Sequence, residues 1–266
     1  MTKKQLIANE TDFSRRSEKG DLPERRKTEN LPDGLYYFED ELEIESVLKA
    51  NVITCAGWLL ELLKLDAGEV SFFSETEEIR PHFTQLAIFY PPFTITRPCF
   101  KRVKARLKGI AGISGLPAEF SKKPFVFETD FAKTPKNAAQ IVEILNSSRN
   151  ARFVDANPKA SLLSLKAKKL IDENYQIFPS IARIAARLKV SHEHLTRQFK
   201  KDFGLSPNAY LHQLRIADAT FRLSQGEPII DVSGDVGYND LSRFYKQFRK
   251  STTKSPGFCQ TSRKVK

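Results

Sequence analysis

The string Phe199-Lys-Lys-Asp-Phe-Gly-Leu-Ser-Pro207 returns 49 residues later as Phe248-Arg-Lys-Ser-Thr-Thr-Lys-Ser-Pro256, keeping the Phe, both basic positions and the closing Ser-Pro. A repeat of this kind means one supersecondary unit used twice, so it constrains the fold before any other feature does. Upstream of the first copy, Ile184-Ala185-x-x-Leu188-x-Val190 leads to Leu195 and Phe199. Upstream of the second, Val232-Ser233-x-x-Val236-Gly-Tyr238 leads to Phe244 and Phe248, with one residue of difference in the turn. A short apolar helix, a tight turn and an amphipathic helix of about a dozen residues form a helix-turn-helix pattern, whose second helix can enter a DNA major groove.

The expected helices are 160–174, 180–188, 192–203, 207–224, 228–236 and 240–250. In the first unit Leu195, Phe199 and Phe203 fall at i, i+4 and i+8 and mark the buried stripe. That places Glu193, Arg197, Lys200 and Lys201 on the opposite face, with His194 and Thr196 at its edges. In the second unit Phe244 and Phe248 define the stripe, leaving Ser242, Arg243, Lys246, Arg249 and Lys250 facing away. A solvated helix face is the plain alternative for either helix alone. Against it, both faces lie where the charge is: residues 158–266 carry 20 Lys+Arg and 9 Asp+Glu, which accounts for the whole net charge of +11. Such asymmetry is the electrostatic footprint of a polyanion-binding region. Arg can hold guanine O6 and N7 in a bidentate contact, while Lys, Ser and Thr reach phosphates or base edges.

From Leu162 to Phe258 these motifs resemble the AraC/XylS transcription regulators. The F-K-K-x-F-G-x-S-P element is complete at Phe199 to Pro207. Tyr210-Leu211, Leu214-Arg215-Ile216 and Ala219 resemble the family's linker helix, and Val236-Gly237-Tyr238, Ser242, Phe244 and Phe248 its second motif. The resemblance implies a bipartite all-helical domain whose two recognition helices enter successive major grooves on one face of the duplex. It implies that Glu193, Thr196 and Arg197 read bases in the first unit, and Ser242, Arg243 and Lys246 in the second. Two departures stand out. Thr252-Thr253 replace an aromatic and a glycine, and Ser233-Gly234 occupy positions where Ala and a better helix former are common. Both lie in the second unit, which is therefore expected to be the looser, with the first dominating specificity.

The amino-terminal part has a different texture. Residues 1–30 are polar and dense in both charges, the composition of a disordered arm. From Leu31 onward, short apolar or alternating runs such as Leu86-Ala-Ile-Phe-Tyr and Phe125-Val-Phe-Glu, punctuated by Gly and Pro, predict strands of a small antiparallel sheet or barrel. The run Trp58 to Leu65 suits a strand or a helix turn, with the strand preferred. Pro135 to Asn146 predicts a helix with Thr134 as N-cap. Packing on its own domain and pairing with a second copy are both open to it.

The aromatic cluster Trp58, Phe72, Phe73, Phe89, Tyr90 and Phe93 suits a core more than a ligand pocket. His82 is the lone histidine of this half, too few ligands for a metal-dependent cupin enzyme. His192 and His194 point apart on a helix and cannot share an ion, so they read as cap and surface residues. The three cysteines have no C-x-x-C spacing, and no G-x-S-x-G, Walker A or G-x-G-x-x-G element occurs.

The fold expected is an α+β amino-terminal domain, a small antiparallel β-sheet or cupin-like barrel plus a helix, followed by an all-α double helix-turn-helix domain. Its divisions are a disordered arm (1–30), an effector or dimerisation domain (31–149), a linker (150–160), the AraC-type DNA-binding domain (161–260) and a basic tail (261–266). The expected function is that of a cytoplasmic, sequence-specific transcription regulator with no catalysis and no cofactor. Lys200, Lys201, Arg249 and Lys250 would neutralise phosphates, and Arg197 and Lys246 would read bases. Double-stranded DNA is the expected partner, together with a small-molecule effector, a second copy of the chain and, for an activator, RNA polymerase; no membrane is expected. A weakly specific architectural DNA-binding protein is the alternative. An enzyme in the amino-terminal half targeted by the basic domain is the third reading.

Overall fold

The computed structural model describes residues 6–9, 27–73, 77–96, 98–112, 116–121, 123–154, 160–177, 180–252 and 255–261. The chain divides into two compact units near residue 156. The amino-terminal unit holds β1 (Leu6–Asn9), β2 (Lys27–Asn30), β3 (Tyr36–Glu43), β4 (Val47–Ile53), β5 (Trp58–Phe73), β6 (Glu78–Ile79), β7 (Gln85–Tyr90), β8 (Ile95–Thr96), β9 (Cys99–Gly112), β10 (Phe125–Glu128), α1 (Ala138–Asn146) and β11 (Arg149–Phe153). They form one sheet in the order β1-β4-β9-β5-β7-β10-β11, with β2 and β3 joining through β9, β6 on β5 and β8 on β4. All pairings are antiparallel except β1 with β4. No ladder among the described residues joins β11 back to β1 or β2, so the antiparallel sheet with one helix is the form observed.

The Trp58 to Leu65 run is a strand, and it is longer than its apolar segment. Residues 58–63 are buried on both faces, which erases the alternation expected of a half-exposed strand. Trp58, Leu60 and Leu62 join Phe89, Phe125, Phe127 and the α1 residues Ile141 and Leu145 in one core cluster. Glu61 and Tyr90 occupy the other face, where the Tyr90 hydroxyl donates to Glu61 Oε2 at 3.1 Å. Of the aromatic residues singled out from sequence, Trp58 and Phe89 thus lie in the core on one face and Tyr90 on the other.

Helix α1 starts at Ala138, three residues later than the sequence suggests. Asn137 is its cap, accepting from the Gln140 N–H, while Thr134 Oγ1 is engaged by Lys108 Nζ at 2.7 Å. Its apolar stripe packs on its own sheet. The ends of the predicted arm are paired: Lys27–Asn30 runs beside β3 and Leu6–Asn9 beside β4. Backbone hydrogen bonding to the sheet offsets the poor apolar content that argued for disorder. Residues 10–26 of that arm lie outside the described residues, as do 155–159 of the predicted linker and 262–266 of the tail. The linker's first residues belong to β11.

The outer face of β9 is a row of cations, yet it stands beside acids. Lys104, Arg106 and Lys108 are the register partners of Glu43, Glu41 and Glu39 on β3. Cross-strand pairs of opposite charge stabilise a sheet and fix its register.

The second unit is helical: α2 (Leu162–Asn174), α3 (Ile181–Arg187), α4 (His192–Phe203), α5 (Pro207–Ser224), α6 (Ile229–Asp235), α7 (Leu241–Thr252) and α8 (Pro256–Thr261). Ser161, Ser180, Ser191 and Ser206 cap α2 to α5, each accepting from the N–H three residues on. The six predicted helices agree with α2 to α7 to within two residues at each end, and α8 was not foreseen. No helix among the described residues is long and apolar enough to cross a membrane.

The two helix pairs match bond for bond. In the first turn the N–H groups of Leu188, Lys189 and Val190 donate to the carbonyls of Ile184, Ala186 and Ala185. In the second, those of Val236, Gly237 and Tyr238 donate to Val232, Gly234 and Ser233, each shifted by 48 residues. Both turns need one residue in the left-handed region, filled by Lys189 (φ 58°) and Gly237 (φ 90°).

The glycines of the second unit differ in kind. A Cβ on Gly237 would lie 2.3 Å from the Gln176 carbonyl oxygen and 2.7 Å from an Arg215 nitrogen, whereas one on Gly234 would meet nothing within 4 Å. Gly237→Ala is therefore expected to destabilise the helical unit by more than about 1 kcal/mol. Gly234→Ala is expected to stabilise it by about 0.5–1 kcal/mol. Denaturant titration of the two variants checks both signs, and a loss at Gly234 would contradict the packing described.

Candidate nucleic-acid interface

The candidate surface is built on α4 and α7, each held by a buried aromatic stripe. Leu195, Phe199 and Phe203 are buried on α4, and Phe244 and Phe248 on α7. Phe199 packs on Phe203 and on Tyr210 of α5, with centroids 4.7 and 5.8 Å apart. Phe244 packs on Phe248 and on Tyr238 from the turn, at 5.5 and 5.4 Å. Both stripes are backed by the connecting helix α5, and the second is also backed by its own turn.

With the stripes fixed inward, the rest of each helix is fixed outward. Glu193, Arg197, Lys200 and Lys201 are exposed and Thr196 is half-buried; Ser242, Arg243, Lys246, Arg249 and Lys250 are all exposed. Residues 192–201 and 241–250 follow the same order of exposed, half-buried and buried positions, residue by residue. His192 and His194 are exposed, and Ser191, not a histidine, caps α4. Asp240 Oδ1 accepts from the Ser242 N–H at the start of α7.

Charge distinguishes the two faces. Helix α4 includes Glu193 and Asp202, whereas α7 carries Arg243, Lys246, Arg249 and Lys250 and no acid. Asp202 is turned away from solvent, accepting from the Ser161 N–H and hydroxyl and from Gln198. Those donors hold its carboxyl below the ordinary range despite the opposing effect of burial.

The second unit is not loose in the way its sequence suggests. Val232, Val236, Tyr238, Phe244 and Phe248 form one cluster with Ile216, Ala219 and Leu223 of α5. Thr252, at the place of Phe203, is fully buried, and its hydroxyl donates to the Phe248 carbonyl at 2.8 Å. A smaller side chain is accommodated there with its polar atom satisfied. Thr253 lies outside the described residues.

What sequence reasoning missed is the brace between the units. Arg215 of α5 is only 7% exposed; its Nε donates to the Tyr175 carbonyl at 2.6 Å, its Nη1 to the Gly237 carbonyl at 2.8 Å, and its guanidinium lies over the Tyr238 ring. The Tyr175 hydroxyl in turn donates to Asp218 at 2.9 Å, and the Tyr210 hydroxyl to Asp172 at 2.6 Å. Near the other end of α5, Arg222 Nη2 bridges Glu227 and Asp235, both at 2.6 Å. Two charges, Arg215 and Asp218, set three apart among the apolar residues of α5 and both buried, are the local signal of it in the sequence.

Replacing Arg215 by Met removes the donors to the buried Tyr175 carbonyl and the part-buried Gly237 carbonyl. A loss of about 3 kcal/mol from the helical unit is expected, against less than about 0.5 kcal/mol for the exposed Arg197→Ala. Equal losses in urea unfolding would contradict the brace.

His212 shares a 3.0 Å hydrogen bond with the Tyr238 hydroxyl. Burial, and then the positive charges of Arg215, Arg243 and Lys250, push its pKa down to about 4. Between pH 6.5 and 4 the unfolded chain takes up a proton that the folded one refuses, so stability falls as the pH falls through that window. His212→Gln is expected to flatten that part of the stability profile; an unchanged slope would show that other groups cause it.

A match to a known protein family falls within this unit. Residues 184–261 match the model of a helix-turn-helix domain family. The lactose operon transcription activator of Staphylococcus xylosus is 35% identical over 85 residues, 32% of this chain and 30% of that protein. The transcriptional activator RhaS of Pectobacterium carotovorum subsp. carotovorum (strain PC1) is 31% identical over 87 residues, 32% of this chain and 31% of its own. The matches thus span about a third of these relatives' length. Among solved structures, the C-terminal domain of AraT, a response regulator from Geobacillus stearothermophilus, is 26% identical, covering 41% of this chain and 91% of that one with a TM-score of 0.38. The likeness to these transcription activators and the matched helix-turn-helix model together mark the carboxy-terminal part of the chain as containing a helix-turn-helix domain.

Proposed function

We propose that the protein is a transcription regulator that binds specific duplex DNA through two helix-turn-helix units reading successive major grooves. The carrying observation is the residue-by-residue match of the α4 and α7 faces, each anchored by buried aromatics and each presenting cations outward. Lys200, Lys201, Arg249 and Lys250, late in their helices, hold phosphates; Glu193, Thr196, Arg197, Ser242, Arg243 and Lys246 face base edges. The similar lactose operon transcription activator and the transcriptional activator RhaS support a role at promoters. The β-sheet unit then senses an effector or pairs two copies, and an activator also contacts RNA polymerase.

Selection from a random duplex pool at about 150 mM salt tests this, because electrostatic binding without specificity weakens there. A motif of two boxes about one helical turn apart is expected. On that site Arg197→Ala should cost about 1–3 kcal/mol and relax one position, while Lys200→Ala should weaken all sequences alike and lower the salt slope by about one. Strong binding at low salt with no enriched motif would replace this reading with an architectural role.

A further inference from the structure

The face of α7 carries something that the face of α4 does not. Shifting by 49 residues sets Leu241 on His192 and Tyr245 on Thr196, so a polar pair in the first unit is an apolar pair in the second. With Ser242, Lys246 and Arg249 these two side chains line an open cleft on the outward side of the helix. Leu241 is 40% exposed and stands outside the apolar cluster of the unit, so packing does not account for it. Tyr245 is half-buried, its ring set edge-on to Phe244 at 6.2 Å and 86°, which fixes the ring while leaving one side in the cleft.

We propose that Leu241 and Tyr245 read thymine, packing on its 5-methyl group in the major groove, and so give the second box an A·T preference. The inference rests on the reading of α7 as a groove-binding helix. The occupant follows from chemistry: Lys246 and Arg249 line the cleft, Arg243 and Lys250 are exposed on the same helix, and α7 carries no acid, so the approaching surface is polyanionic. Among the base edges of the major groove, the thymine methyl is the one apolar group. A helix that only tracked phosphates would need no apolar pair at i and i+4, and the first unit has none. The same translation gives the residue roles: Tyr245 stands where Thr196 faces the bases, and Leu241 lies one turn earlier on the side entering the groove.

The test uses the full chain and the duplex recovered by selection. Each thymine is replaced singly by uracil, which removes the methyl and keeps the pairing, and affinities are compared for the wild type, Leu241→Ser and Tyr245→Thr. Burying one such group is worth about fourfold in affinity. One or two uracil positions in a single box should cost the wild type that much and cost the variants nothing further, while the other box stays insensitive. Leu241→Ser alters an exposed side chain, so it reports even where Tyr245→Thr unsettles the core. A recovered motif in which no uracil matters, or in which it costs wild type and variants equally, overturns the inference alone. A selection that returns no motif overturns both it and the reading beneath it.

Discussion

Two recognition faces read one duplex only if the distance and angle between them are set, and Arg215 is the residue on which that setting depends. It lies in the connecting helix α5 and reaches both ways, to the Tyr175 carbonyl after α2 and to the Gly237 carbonyl in the second turn. A guanidinium suits the task because its planar fork donates in two fixed directions, which a lysine cannot do. Burial makes the arrangement stringent, since a carbonyl deprived of its donor there has no water to turn to. Gly237 belongs to the same device: its missing side chain lets the Gln176 carbonyl and the guanidinium close on the turn.

On that frame the repeated units have diverged in chemistry while keeping their geometry. The turns share hydrogen bonds, and the helices share their pattern of exposure. Charge and apolar surface have moved: α4 keeps an acid, Glu193, at its exposed start, while α7 is wholly basic and bears Leu241 and Tyr245. Burial constrains the inward stripe and leaves the outward face free to change. The sheet unit disposes of its own cations differently, setting Lys104, Arg106 and Lys108 opposite glutamates. The net positive charge is left to the helices.

Much of the helical unit was legible because its determinants are local. Ser caps, the i, i+4 aromatic stripes and the repeat fixed its helices and the outward positions of Arg197 and Lys246 from neighbours along the chain. The sheet unit was read less well because its determinants are not. Trp58 to Leu65 lost its alternation through burial on both faces, and Lys27–Asn30 looked disordered because its partner is supplied by β3. The start of α1 moved because Lys108, distant in sequence, engages Thr134 and leaves Asn137 to cap. Sequence suggested a defective second unit, since Thr252 and Gly234 are poor residues in isolation. In place, the Thr252 hydroxyl is satisfied by Phe248, and the cluster around Phe244 is closed.

In the proposed complex, α5 and its Arg215 brace hold α4 and α7 at a fixed separation suited to consecutive grooves. Changing the distance between the two boxes in the DNA probes that separation. Inserting about 5 base pairs turns the second box to the opposite face of the duplex. Affinity for the spaced site is expected to fall to that of a single box, and the Arg215→Met variant to discriminate less sharply between the two spacings. Equal affinity of the wild type for both spacings would contradict it.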